Sequence, residues 1–253
     1  MLNVLVNAHL TISRRRQCHF RRYPEAMGKS EANQVQKITK KYFDKALLSQ
    51  HELAIANVAR LRRLHPDKTP TELVGYMNKW FLGAVAASGA GAGAAAAAPN
   101  LVVQIPAALA DVGAFVELSV LYTLSVAIIH DLPLDDVERR SALVAVVLLG
   151  KTASEKILGK AIERTAPYWG KALAKAVPLK AIKLANKLLG PYFVTRFGAV
   201  KGVIVLGEQA PFFVGAAVGG AGNSLFGMFI VKSARKILGP LPESWEMREA
   251  IQK

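Results

Sequence analysis

The sequence predicts an all-α fold, a helical membrane-associated domain whose Gly/Ala-rich helices pack closely. Three observations carry this. Apolar residues make up 52% of the chain and charged residues only 20%, against about 25% charged in soluble domains. No stretch alternates apolar and polar residues long enough to read as a sheet. Small residues recur at helical contact spacing inside runs that hold no charge.

The remaining charge is lopsided, with 33 Lys+Arg against 18 Asp+Glu and a net +15. Such an imbalance suits an anionic partner. Long uncharged runs favour the acidic lipids of a cytoplasmic leaflet over nucleic acid. Cys18 stands alone, which excludes an intrachain disulfide and a cysteine-based zinc site and fits a reducing compartment. The chain divides into a leader over 1–28, a single helical domain over 29–240, and a polar tail over 241–253 that is loosely held apart from Trp245. The leader reads as disordered. The Arg-rich, acid-free stretch before Glu25 also fits an organelle transit peptide, and a start codon assigned upstream of Met27 is a further reading.

From Glu31 to Leu64 an intermittent stripe of Val35, Ile38, Tyr42, Ala46 and Leu53 among lysines predicts one or two polar helices. Pro66 disfavours helical geometry at His65, so the helix stops there. Thr69 as N-cap, Pro70 at the first helical position and Glu72 closing a capping box predict a new start at once. Lys79 and Trp80 then look like an interfacial anchor, a cation beside an aromatic ring at head-group depth. Phe81 to Ala98 is an Ala/Gly run and a borderline membrane span. Pro99-Asn100 breaks it.

Leu101 to Ile129 is richer in Leu and Val but holds Asp111 and Glu117, so it faces protein or water rather than bare lipid. His130 to Arg140 is an acidic loop. Ser141 to Gly150 is an apolar helix too short to span. Between Lys151 and Lys201 basic residues far outnumber Glu155 and Glu163, and Pro167, Pro178 and Pro191 are expected to cut the stretch into short helices. Gln209 to Val231 has no charge and is long enough to cross a bilayer at about 1.5 Å per residue. Lys232, Arg235 and Lys236 follow it. This is the expected inserted helix, paired with Phe81 to Ala98.

Lys180, Lys183 and Lys187 fall within about 60° on a helical wheel, with Leu179, Ile182, Leu184, Leu188 and Leu189 on the rest. With Trp169 upstream, this pattern fits a helix lying in the head-group plane. It fits equally a core-facing surface helix with solvated lysines. The small-residue stripes are Gly89 with Gly93, Gly198 with Gly202, Gly215 with Gly219 and Gly222, and a second line through Ala216, Gly220, Ser224 and Gly227. Side chains this small let helix backbones approach closely.

Signs of catalysis are weak. Asp111 and Glu117 lie about 120° apart on a helix and so do not share a face, which favours salt bridges to neighbouring helices over a general acid/base pair or cation site. The 5 histidines lack metal-ligand spacing. Gly150-Lys151-Thr152 lacks the glycine a phosphate loop needs at Ala145, and the Gly89 to Gly93 run lacks the strand that precedes a dinucleotide site. No cofactor, metal or catalytic residue is expected. His65-Pro66-Asp67 resembles the J-domain tripeptide that joins two antiparallel helices, but the helix after it enters an Ala/Gly run foreign to that family.

Leu64 to Leu73 with the Ser88-Gly89-Ala90 run, and Pro211 through Asn223 to Ala234, together resemble the EcsC-type proteins, particularly their actinobacterial relatives. The likeness spans about Leu64 to Pro240, and Gly-Gly-x-Gly-Asn (Gly219 to Asn223) is its most specific part. It implies a helical, membrane-associated protein and supplies no catalytic residue. The expected role is a scaffold or accessory factor of a membrane complex, with a homo-oligomer also open. The alternatives are a soluble helical lipid- or nucleic-acid-binding protein, a small transporter or pore, and a J-type cochaperone.

Overall fold

The computed structural model describes residues 29–96, 101–150, 154, 170, 177–208 and 213–245. Among these, every regular element is a helix: α1 (Lys29–Leu64), α2 (Pro70–Ala96), α3 (Leu101–Ile129), α4 (Val137–Leu149), α5 (Leu179–Glu208) and α6 (Phe213–Leu238).

The expected starts and stops are met by local chemistry. Glu31 to Leu64 forms one continuous helix that ends before His65-Pro66. At the start of α2 the Thr69 backbone N–H donates to Glu72 Oε2 at 2.8 Å, and the Glu72 N–H donates to Thr69 Oγ1 at 3.3 Å, a reciprocal capping box. α4 begins earlier than Ser141, because the Asp136 side chain accepts from the Arg139 N–H at 2.9 Å. The Arg140 guanidinium is buried and donates to the Leu134 carbonyl at 2.6 Å and the Asp135 carbonyl at 3.0 Å, which ties the acidic loop down.

Proline does not divide the chain as expected. Pro178 does precede α5, but Pro191 sits inside α5, which runs on to Glu208. Pro191 is exposed, so water can solvate the backbone where the proline lacks an N–H. Pro167 and Trp169 lie outside the described residues.

α1 packs along α3, α3 against α2, and α2 against α6, while α5 bridges α6 and α1. α4 touches α1, α3, α5 and α6, and all residues from Ala142 to Gly150 are buried. A helix apolar on every side belongs in the centre of a bundle. The directions follow from pairwise contacts. Lys45 reaches Glu117, and a Cβ on Gly113 would meet the Tyr42 ring, so α1 and α3 run parallel. Ser88 reaches Asp111 and Tyr122 reaches Asn78, so α2 and α3 are antiparallel. Gly89 meets Gly219 whereas Gly227 meets Leu82 and Val85, so α2 and α6 are antiparallel too.

Candidate membrane interface and buried polar centre

Glycine makes the α2–α6 crossing. A Cβ at Gly89 would stand 2.3 Å from the Gly219 carbonyl oxygen and 2.6 Å from Asn223 Nδ2, closer than real Cβ atoms approach. Gly220 lies against α2 with 3.3 Å between such a Cβ and the Ala86 carbonyl oxygen, and Gly227 with 3.0 Å to Val85 Cγ2. The contact line therefore runs through Gly219, Gly220, Asn223 and Gly227. It takes members from both stripes read in the sequence. Gly93 is buried and Gly222 half-buried. Gly215 belongs to α6 by its backbone, but its contacts, like those of Gly198 and Gly202, lie outside the described residues.

At this crossing sits a buried polar centre. Asp111, only 3% exposed, takes hydrogen bonds at Oδ1 from the Ser88 hydroxyl and, at 2.9 Å, from Asn223 Nδ2. The same Asn223 amide donates to the Val85 carbonyl at 3.0 Å. One carboxylate on α3 is thereby tied to α2 and α6. A carboxyl group taken out of water needs hydrogen-bond partners within the protein, and α2 and α6 supply them. Glu117 faces a different interface and accepts from Lys45 of α1 at 3.4 Å. The two carboxylates are not brought together. Glu117 has the lysine partner expected of it, while Asp111 is held by a serine and an asparagine. The sequence marks Asn223 as a helix-packing residue beside Gly215, Gly219 and Gly222, and as the end of the Gly-Gly-x-Gly-Asn stretch, but not as a partner of Asp111. The spacing of Asn223 with Gly219 was the one available signal that it faces α2.

The described basic residues expected at a membrane interface lie outward. Lys79 is exposed and Trp80 is 51% exposed. On α5, Ile182, Ala185, Leu189 and Phe193 are buried, whereas Lys180, Lys183 and Lys187 are exposed. The apolar positions of the wheel split in two. Leu184 and Leu188 stay 54% and 47% exposed beside the lysines, and Leu179 and Tyr192 are exposed with them. On α6 Leu225, Met228 and Phe229 are likewise exposed, ahead of exposed Lys232, Arg235 and Lys236.

Pro66 and Asp67 of the His65-Pro66-Asp67 turn are exposed, and a clasp made by Trp245 joins the residues on either side of it. Trp245 Nε1 donates to the Lys68 carbonyl at 2.8 Å, and the Arg62 guanidinium lies 4.3 Å from the centre of its ring. α1 and α2 are not packed along one another, unlike the helix pair of a J-domain. Among the described residues no group of His, Cys, Asp and Glu is placed to hold a metal ion. One described stretch, Ala110–Ile129, is long and apolar enough to cross a membrane, and 72% of it is buried inside the bundle.

No family model, curated protein or solved structure matches the chain.

Proposed function

We propose that this chain is a membrane-associated helical protein without evident catalysis, seated on or partly in the cytoplasmic leaflet, where it serves as a scaffold or accessory factor of a membrane complex. The observation that carries the reading is the antiparallel pairing of α2 with α6. It sets Lys79 and Trp80 at the same end of the pair as Lys232, Arg235 and Lys236, beyond a shared uncharged length. Cations and a tryptophan bordering an apolar face are the arrangement that suits a lipid head-group layer. The outer surface of that length is Gly83, Ala87 and Gly91 on α2, with Leu225, Met228 and Phe229 on α6.

The seat is one-sided. α1 lies along α3 and exposes Lys37, Lys40, Lys41 and Asp44 to solvent, so that flank belongs in water. α5 supplies a second contact, with its lysines reaching phosphates and Leu184, Leu188 and Tyr192 resting in the acyl boundary. The EcsC-type kinship is part of the same proposal and rests on the sequence resemblance from Leu64 to Pro240. A second reading is a soluble helical protein with a lipid- or nucleic-acid-binding basic face. It is favoured by the burial of Ala110–Ile129, the behaviour of a core helix.

Flotation of the full chain with vesicles tests the proposal. Vesicles containing phosphatidylserine should carry the chain up, phosphatidylcholine alone less so, and alkaline carbonate should leave it in the membrane pellet. Replacing Lys180, Lys183 and Lys187 with Gln removes about 1 kcal/mol each near an anionic surface. Affinity should then fall on the order of 100-fold at low ionic strength and less in salt. Release by carbonate, with flotation abolished by the lysine changes, would favour the soluble reading. A chain that stays dispersed and ignores every vesicle overturns both lipid readings.

A further inference from the structure

A cavity of about 210 Å³ opens between α1, α2 and α3, away from the α2–α6 crossing. Its walls are graded. Arg60, Tyr76 and Trp80 form an exposed mouth, with Tyr76 41% and Trp80 51% exposed. Leu61, Met77 and Tyr122 line the interior and are buried. Among the described residues Arg60 has no ion-pair partner. Ser125 also lines the cavity, and its hydroxyl is buried without a hydrogen-bond partner.

Each feature constrains an occupant. An apolar cavity of about 150 Å³ takes benzene, so this one holds a single ring with a short arm. A guanidinium at the mouth selects a carboxylate or similar anion. Buried hydroxyls find partners in native structures, and an unpartnered one marks a missing acceptor or donor. The Tyr122 hydroxyl is not free for this, since it donates to Asn78 Oδ1 at 2.7 Å. The inner hydrogen bond therefore falls to Ser125, whose hydroxyl is closed off from water and reaches the ligand by turning about χ1.

We propose that the cavity binds a small amphipathic organic acid, its anion paired with Arg60, its ring-sized apolar body between Leu61, Met77 and Tyr122, and a second oxygen at the far end bonded to Ser125. This site shares Trp80 with the membrane reading but uses none of the lysines or glycines on which that reading stands.

A matched set of probes separates the parts. 4-Hydroxyphenylacetate carries all three features, phenylacetate lacks the far oxygen, and 4-hydroxyphenylethanol lacks the charge. Titration calorimetry on the full chain, in detergent-free buffer or zwitterionic nanodiscs, should show saturable binding of the first. Phenylacetate should bind roughly fivefold more weakly, and the alcohol about tenfold or more. Arg60→Ala should erase the preference for acid over alcohol, and Ser125→Ala should bring the two acids to equal affinity. Melting curves establish that both variants fold. Absence of saturable binding by 4-hydroxyphenylacetate, or binding indifferent to Arg60→Ala, overturns the proposal.

Discussion

Gly89 and Gly91 lie two residues apart on α2, yet alanine should act on them with opposite sign. At both positions alanine favours the helix by about 1 kcal/mol over glycine. At Gly91, which is exposed and has nothing within 4 Å of an added Cβ, that gain is the whole effect. At Gly89 the new methyl would overlap the Gly219 carbonyl at 2.3 Å and the Asn223 amide at 2.6 Å. Backbone cannot yield like a flexible side chain, so α2 and α6 must part by roughly 1 Å to restore ordinary contact distance. That shift stretches the Asn223 bonds to Val85 and Asp111, now 3.0 and 2.9 Å. Each buried bond lost leaves an unsatisfied group costing about 1–3 kcal/mol. Set against the propensity gain, Gly89→Ala should destabilise by about 2–4 kcal/mol, or roughly 4–16 °C in midpoint. Thermal and urea unfolding of the two variants beside the parent measure this directly. A Gly89→Ala protein as stable as the parent would refute the close crossing. So would equal shifts in the two variants.

The other outcomes are local. Gly150 has φ +82° and faces Phe229, whose ring would lie 2.6 Å from an added Cβ, so Gly150→Ala should cost about 1–3 kcal/mol in urea unfolding. Trp245→Ala removes the bond to Lys68 and the Arg62 stacking, and should cost about 1–2 kcal/mol. Faster amide exchange over residues 65–69 would show it, and unchanged exchange would deny the clasp. The Glu72 carboxyl is held below the usual glutamate value by hydrogen bonds from the Thr69 backbone N–H and hydroxyl. Its contribution to α2 is therefore complete above the unfolded value of about 4.3 and is lost as pH falls through the lower folded value. A carboxyl titration by NMR should place Glu72 below that value, and Glu72→Gln should remove the acid-side loosening of the first turn.

What the sequence revealed was what local chemistry decides. Thr69, Pro70 and Glu72 announced the start of α2, and Pro66 the end of α1, because caps and ring sterics act within four residues. The separate faces of Asp111 and Glu117 followed from helical geometry alone. Other features depend on partners distant in the chain. Ser141 to Gly150 shows in sequence only that it is too short to span, and nothing local says that four helices surround it. Ile182 and Leu184 are equally apolar in sequence, and only the packing of α5 on its neighbours makes one core and the other surface. Pro191 predicts a break that does not occur, because position along a sequence does not reveal which side of a helix meets water. Asn223 stood out by its glycine neighbours, but the carboxylate it serves lies on another helix.

The placement of α3 bears on how the chain is made. Its principal neighbours, α1 and α2, both precede it. During synthesis at about 5–20 residues per second the most apolar helix emerges into the company of finished covers. Water or a chaperone then meets it only briefly. α6, by contrast, finds its partner α2 across the whole intervening length and must join last, so this contact is the one exposed to error when the polypeptide is truncated or released early.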